Sequence, residues 1–462
     1  GRAEGSECAE SLVRPDSPGP GPRAMSVATL PEETVRRVQE LGRPWGGLPV
    51  PRPRFEGASL VNVAVSLLRD LGDESPAGPL PPLLPEYGLT VDDGDAAVLV
   101  VVDSFGWNCV EALVSHPEDP VELAVASLLA ERAHPLTTVF PTTTAASLVS
   151  LSTAAAPGSH GILAYIQYLP QYGCLVNTLR MAPAYSQIPP DLFKGPSFDP
   201  QEWVRLPTLF RRLGTGAALT ERPLVDSGFT RVLYDGAEIQ GHGSLSELSV
   251  HLEHCLERQD SQRPRLIMVY WSALDTALHL EGPDPRLMKR ELGLIFHALA
   301  AAVRPVAPRH RVRFLVTGDH GHIETPRERC RLVHSDPEWV ALLARPPSGE
   351  GRASFLRARE GRLLELRSHL SAHLPADWVC LETRRLIHDG FLGPPPHHPE
   401  LLERFGDLVV LPPRGATLAY RPPGFRGPEL AGLLGGHGGL TPEELLVPLV
   451  TFSGEELVSR VP

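Results

Sequence analysis

Four short segments of this sequence carry side chains that could hold a divalent cation. In GDHGHI, Asp319 and His320 follow an apolar run, where a loop can bend both onto one ion. Taken alone, the pair reads equally as a loop hydrogen bond, and His322 beside it as a solvent-facing imidazole. DTALH spaces Asp275 and His279 four apart, which puts a carboxylate and an imidazole on one face of a helix. Those donors suit Zn²⁺, although a surface pair has the same spacing. Asp103 ends the run VLVVV, and a carboxylate at the tip of a wholly apolar strand must reach solvent, a cation or hydrogen-bond donors. GGHGG holds His437 in a pliable loop that leaves the imidazole unobstructed, as an ordinary glycine-rich turn also would.

A nucleophile is available in PTTTAAS. Thr142, Thr143 and Thr144 lie between Pro141 and a helix expected over 144–153. A threonine there is commonly a helix cap. With a metal nearby it becomes a candidate nucleophile: the ion would stabilise the alkoxide, and the helix N–H groups would favour an attached phosphoryl group. On these grounds alone all three threonines remain candidates.

The elements that must position these groups are readable as periodicity. Apolar runs at 96–102, 137–140, 265–271 and 312–317 predict strands, the first continuous enough for a buried parallel strand. Each ends in a polar residue, and sites of open α/β sheets gather at the C-terminal ends of strands. Helical spacing is present at 31–41, 60–72, 118–132, 242–258, 285–304 and within 356–374. Residues 1–54, with SPGPGPR near the start, read as a flexible N-terminal extension and arm. Residues 55–462 then form one catalytic domain, within which 163–260 reads as a substrate-side insertion or cap. Tyr165, Tyr168 and Tyr172 in this stretch either line a base or aryl pocket or pack the insertion.

The bulk composition narrows the function classes. A net charge of -12 disfavours a general nucleic-acid surface but not a small phosphorylated substrate held by metals and local dipoles. Six cysteines without a close CxxC pair are neither a disulfide framework nor a thiolate metal knuckle. They fit a reducing compartment, so the expectation is cytoplasmic, with removal of an export signal before Gly1 left open. No apolar window is long enough to predict a membrane span.

Together the segments VVDSFGW, VFPTTTAASLVSLSTAAAPGSHGI, YWSALDTALHLEGP, TGDHGHIETP and GGHGG resemble the alkaline phosphatase superfamily, and more closely its type I phosphodiesterase/nucleotide pyrophosphatase family. FEGASLVNVAVSLLRDLG is similar, more weakly, to bacterial members. The resemblance implies an α/β fold, an alkaline phosphatase-like three-layer sandwich with a mostly parallel central sheet. The family's threonine stands sixteen residues before a histidine, as Thr144 does before His160, which selects Thr144 as nucleophile. Two Zn²⁺ ions, or Mn²⁺ or another divalent ion, are implied. Asp275, His279 and His437 would hold one, and Asp103, Asp319 and His320 the other. The implied reaction cleaves phosphodiester or nucleotide pyrophosphate bonds through a phosphothreonine, with His160 structural.

Three positions depart from the family. Ser147 replaces a phosphate-holding Asn, Ala154 replaces a Gly after the nucleophile helix, and Leu278 replaces a Gly before His279 and would alter the pocket wall. Ser147, Tyr165 and Tyr168 are candidate substrate contacts. A phosphomonoesterase or phosphonate hydrolase is the alternative enzyme, a sulfatase being disfavoured because FPTTTAAS has no cysteine. A non-catalytic metal-binding scaffold is the alternative of another class.

Overall fold

The computed structural model describes residues 28–73, 78–91, 96–186, 199–258, 266–425 and 432–462. A seven-stranded sheet forms its centre. Chain order supplies β1 (Ala96–Val102), β2 (Ala133–Thr137), β6 (Ala217–Glu221), β7 (Glu238–His242), β8 (Leu266–Trp271) and β9 (Val312–Thr317) to this sheet, with β3 (Ile166–Leu169), β4 (Cys174–Asn177) and β5 (Ala182–Pro183) in another. The central order is β2, the strand Leu446–Ser453, β9, β1, β8, β6, β7. From β9 to β7 every pair is parallel. Leu446–Ser453 alone runs antiparallel to both its neighbours. All seven residues of β1 are buried, as an unbroken apolar strand requires when helices cover both sheet faces.

Those helices form two separate groups. Trp107–Ser115, Pro120–Arg132, Leu245–Glu257 and Pro285–Val303 pack with one another, while Leu60–Asp70, Thr144–Thr153 and Gly228–Leu233 make the second set. The result is the expected α/β three-layer arrangement. Asp119, Ser244 and Asp284 cap three of these helices through backbone N–H groups of the first turn, so the helix starts are set by local sequence.

A second, antiparallel sheet sits beside the first. Its order is Val379–Glu382, Leu408–Leu411, Ala353–Leu356, Ser348–Glu350, β3, β4, β5. The insertion expected over 163–260 is therefore corrected. β6, β7 and helix Leu245–Glu257 complete the central sheet, and the accessory sheet joins 166–183 to 348–411. β6 is only five residues long and lies among Pro and Gly, so its sheet membership had little local signal.

Three further expectations change. The strand expected at 137–140 lies at 133–137, where β2 is the sheet edge. An edge strand tolerates the missing N–H of Pro135, which stands opposite Pro448. Residues 138–143 become the loop that delivers the threonines. The helical stretch in 356–374 is confined to Leu363–His373, after a strand ending at Leu356. The described part of the arm is packed rather than flexible. Trp45 is covered by the guanidinium groups of Arg52 and Arg54 at 4.0 and 4.6 Å, and the Arg54 N–H donates to Thr137 Oγ1. The reading of residues 1–24 lies outside the described residues. Among the described residues no helix is long and apolar enough to cross a membrane. The five described cysteines are unpaired.

Candidate active site

Three neighbouring strands of the central sheet end at the same place. β1 pairs with β8 on one side and β9 on the other, so Asp103, the helix carrying Asp275, and Asp319 emerge together. The Asp103 N–H donates to Trp271 O, which carries the β1–β8 pairing one residue past the strand. Ser104 then takes a positive φ of 66°, and its N–H donates to Asp319 Oδ1 at 3.0 Å. The approach of β1 and β9 explains a glycine of TGDHG. A Cβ on Gly318 would come within 2.2 Å of Phe105 O.

Asp103, Asp319, His320 and Thr144 form the first cluster. His320 Nε2 lies 3.5 Å from Asp103 Oδ1, 3.4 Å from Asp319 Oδ2 and 3.2 Å from Thr144 Oγ1. The opposite ring nitrogen, Nδ1, lies 3.1 Å from Gly321 O. Donation to that carbonyl leaves Nε2 unprotonated toward the cluster. Among the described residues Asp103 Oδ1 and Asp319 Oδ2 are buried without a hydrogen-bond partner, whereas Asp103 Oδ2 accepts from the Tyr270 hydroxyl. Burial raises the Asp103 carboxyl well above its usual range, with Asp319 and Asp275 adding repulsion. Burial likewise raises Asp319, to about 7. It pushes His320 well below its usual value, helped by the neighbouring His437 and His322.

The second cluster surrounds Asp275. On helix Ala273–Glu281, Asp275 and His279 share a face, with Oδ1 to Nε2 at 3.4 Å. The same Oδ1 lies 3.8 Å from His437 Nε2 and 3.5 Å from His322 Nδ1, and it accepts from Ser104 Oγ at 2.7 Å. His279 Nδ1 faces Gly435 O at 2.8 Å and His437 Nδ1 faces Thr142 O at 2.9 Å. Both rings therefore turn Nε2 toward Asp275. The His320 and His437 rings stack with centroids 3.7 Å apart, so the two clusters adjoin.

All six expected ligands thus converge. Donor atoms of Asp103, Asp319 and His320 form one compact set; those of Asp275, His279 and His322 form another, and those of Asp275, His320 and His437 a third. His322 is a correction. It is buried against Asp275 and Ser104, with Nδ1 3.0 Å from Ser104 Oγ, and does not face solvent.

The chemistry of this donor set fits divalent cations. Three carboxylates and four imidazoles meet in a space that buries Asp103, Asp319, His320 and His322 and partly covers the rest, and two carboxylate oxygens have no proton donor among the described residues. Like charges brought this close are destabilising without cations between them. Oxygen and imidazole nitrogen ligands are those Zn²⁺ accepts.

The structure separates the three threonines. Thr142 Oγ1 donates to Gly439 O and accepts from the Gly438 N–H, tying down the loop of His437. Thr143 Oγ1 donates to Glu350 Oε1. Thr144, first residue of its helix, alone turns its hydroxyl to His320.

A cavity of about 330 Å³ opens over this floor. Thr143, Thr144, Asp275, His279 and His437 border it on one side, and Tyr165, Tyr185 and Tyr420 on another. Of the candidate substrate contacts, only Tyr165 reaches it. Ser147 is buried inside the helix, with its hydroxyl 3.1 Å from Thr138 Oγ1. Tyr168 lies elsewhere, its ring under the Arg345 guanidinium at 3.9 Å. The Leu278 side chain points into the core; its carbonyl, not a pocket wall, is what crowds Gly435. His160 is buried, 2.9 Å from Ser150 Oγ, and accepts from the Ile162 N–H.

Two functional candidates have no precedent in the motifs. Glu350 lines the cavity, with Oε1 accepting from Thr143 Oγ1 and the Tyr165 N–H, both at 2.7 Å. Burial raises its carboxyl to about 7. Arg352 also borders the cavity, but its guanidinium is engaged by Glu444 and by the carbonyls of Pro412, Pro413 and Ala416. Both residues come from a short hairpin without an apolar run to mark it.

The type I phosphodiesterase/nucleotide pyrophosphatase profile matches residues 97–424. Among solved structures, murine ectonucleotide pyrophosphatase/phosphodiesterase 5 is similar with a TM-score of 0.58 and 15% identity, over 77% of this chain and 87% of that one. An inactive variant of the murine protein in complex with AMP gives 0.57 at 15% identity, and the human protein 0.56 at 15%, each with the same coverage. At this identity the likeness is one of fold. A comparison with curated proteins gives no match.

Proposed function

The chain belongs to the type I phosphodiesterase/nucleotide pyrophosphatase family, a family of metal-dependent hydrolases, and from that premise we propose that it cleaves phosphodiester or nucleotide pyrophosphate bonds with Thr144 as nucleophile and two divalent ions, Zn²⁺ first among them. The observation that carries this reading is the meeting of Thr144 Oγ1 with His320 Nε2 at 3.2 Å, beside two partnerless carboxylate oxygens and at the edge of a cavity.

Asp103, Asp319 and His320 would hold one ion, and Asp275, His279 and His437 the other, with His322 at the edge of that second set. Bound there, the ions would offset the carboxylate charge, lower the pKa of the nucleophile and of water, and stabilise the departing oxygen. Thr144 attacks phosphorus in line, and the bond to the leaving alcohol or phosphate breaks. The phosphoryl group, still carrying its other ester arm, then rests on Thr144 as an esterified phosphothreonine, which water hydrolyses to free the hydroxyl and release the monoester. The first-turn N–H groups of helix Thr144–Thr153 favour an anionic group at that position. Main-chain carbonyls of Gly435 and Thr142 hold the His279 and His437 rings in orientation.

A small nucleotide is a reasonable substrate class, since a structural neighbour was captured with AMP. Diesters are favoured over monoesters by the cavity's charge. Its border includes Glu350, and Arg352, the one Arg among the described residues there, is engaged by Glu444, so among the described residues no free guanidinium of this cavity is aimed at a dianionic phosphate. The test is a substrate panel on metal-replete protein: bis-p-nitrophenyl phosphate, p-nitrophenyl phosphate, a nucleotide monophosphate ester and a phenyl phosphonate. Fastest turnover of the diesters is expected. Faster turnover of p-nitrophenyl phosphate would overturn the diester reading.

A further inference from the structure

We propose that His322 is a fourth protein ligand of the ion assigned to Asp275, His279 and His437, binding it through Nδ1. The proposal rests on the reading of those three residues as one metal site. It goes beyond the family resemblance, which implies three protein donors there and gives His322 no part.

Distances place His322 where a ligand belongs. Its Nδ1 lies 3.5 Å from Asp275 Oδ1, while His279 Nε2 and His437 Nε2 lie 3.4 and 3.8 Å from the same oxygen. With bonds of about 2.1 Å to oxygen and nitrogen, two donors on one tetrahedral ion stand about 3.4 Å apart. By this measure His322 fits the site better than His437 does. The rings agree. Their centroids are 4.5 Å apart for His279 and His322, 5.1 Å for His279 and His437, and 5.4 Å for His322 and His437. Three imidazoles on one tetrahedral ion have centroids about 5 Å apart. Donor atoms of Asp275, His279 and His322 also lie within 4.8 Å of one another.

Protons are short at this corner. His279 and His437 turn a bare Nε2 to Asp275, because the Nδ1 of each faces a carbonyl. The Ser104 hydroxyl has one hydrogen, and Asp275 Oδ1 at 2.7 Å and His322 Nδ1 at 3.0 Å both face it. The far edge of the His322 ring, Nε2 and Cδ2, lies against Gly435, where a Cβ would come within 2.7 Å of both atoms. Nε2 is buried and has no hydrogen-bond partner among the described residues. An ion shared by Asp275, His279, His437 and His322 Nδ1 supplies the positive charge that the missing protons do not. Four protein donors fill a tetrahedral shell, so a water or substrate oxygen enters as a fifth ligand, an expansion Zn²⁺ accepts. In the competing arrangement His322 Nδ1 donates to Ser104 Oγ and only supports Asp275.

Metal binding, not turnover, tests this. Zn²⁺ is titrated against a chelator into the unmodified protein and His322→Ala, and absorption spectra are taken of the unmodified protein and His322→Cys loaded with Co²⁺. The unmodified protein is expected to hold two ions. His322→Ala should keep the ion of Asp103, Asp319 and His320 and bind the other more than about 100-fold more weakly, beyond the loss caused by removing a group that only hydrogen-bonds a ligand. His322→Cys should gain a near-ultraviolet thiolate-to-cobalt charge-transfer band that the unmodified protein lacks, because its sulfur takes the place of Nδ1. Absence of that band in His322→Cys carrying two Co²⁺ would overturn the proposal. So would a second-ion affinity in His322→Ala within about tenfold of the unmodified protein, which would leave His322 a hydrogen-bonding partner of Ser104. Loss of both ions in His322→Ala marks a misfolded variant, and the His322→Cys spectrum then decides. An unmodified protein that binds no ion would overturn the two-metal reading and this proposal together, whereas two ions held equally well with and without His322 would overturn this proposal alone.

Discussion

Arg352 and Glu444 form a buried two-point ion pair, Nε to Oε1 and Nη2 to Oε2, each 3.0 Å, that fastens the accessory hairpin to the loop bearing His437. Glu444 also accepts from the Gly439 N–H and from the N–H and hydroxyl of Thr441, two residues of the same loop. Burial pushes the Glu444 carboxyl up, but the charge and hydrogen bonds of Arg352 outweigh this and hold it below the usual range. Removing one partner strands the other charge. Arg352→Ala is expected to cost about 3–5 kcal/mol in denaturant unfolding, and to weaken Zn²⁺ binding through displacement of His437. The double change Arg352→Ala, Glu444→Gln should recover part of that loss. A single variant with unchanged stability and metal affinity would remove this pair from the account of the site.

Ala154 ends the nucleophile helix in the left-handed conformation, with φ 53° and ψ 35°. A Cβ is strained there by roughly 1–2 kcal/mol, and glycine is not. Ala154→Gly, which restores the residue usual in the family, should therefore stabilise the protein by about 1 kcal/mol. Denaturant unfolding at fixed metal concentration reads this directly. A lower midpoint would show that the left-handed cap is absent in solution.

The strands and the candidate ligands were legible in the sequence because they obey local rules. β1, β8 and β9 are apolar runs tipped by Asp103, the Asp275 segment and Asp319, and an i, i+4 spacing sufficed for Asp275 and His279. What stayed hidden depends on distant pairing. His322 looked solvent-facing because its burial is supplied by Ser104 and Asp275. Glu350 ends a three-residue strand whose partners are β3 and Ala353–Leu356, Arg352 lies in the turn that follows it, and no periodicity announces so short an element. Ser147 was legible as a substitution but not in direction; the helix turns it to Thr138, away from the cavity. The insertion's limits failed for the same reason, since β6 and β7 are short and only the sheet order reveals their membership.

His160 provides a pH signature outside the candidate metal-binding cluster. It is buried, and burial first, with His398 and Arg404 adding repulsion, lowers its pKa to about 3. An imidazole held neutral in the folded state takes up its proton earlier when unfolded. Its contribution to stability is thus present above the usual value of 6.5 and is lost as the pH falls through that value toward 3. His160→Gln should flatten the decline of unfolding free energy between those limits, compared with the unmodified protein. An identical pH dependence in both would show that His160 does not stay neutral and buried.

Thr144 carries the central claim, because its hydroxyl alone among the three threonines faces His320. The most direct measurement is hydrolysis of bis-p-nitrophenyl phosphate by metal-replete protein and by Thr144→Ala, with the bound metal counted in both. The account predicts turnover by the unmodified protein, none detectable in Thr144→Ala, and nearly equal metal content in the two. Full activity in Thr144→Ala would contradict it.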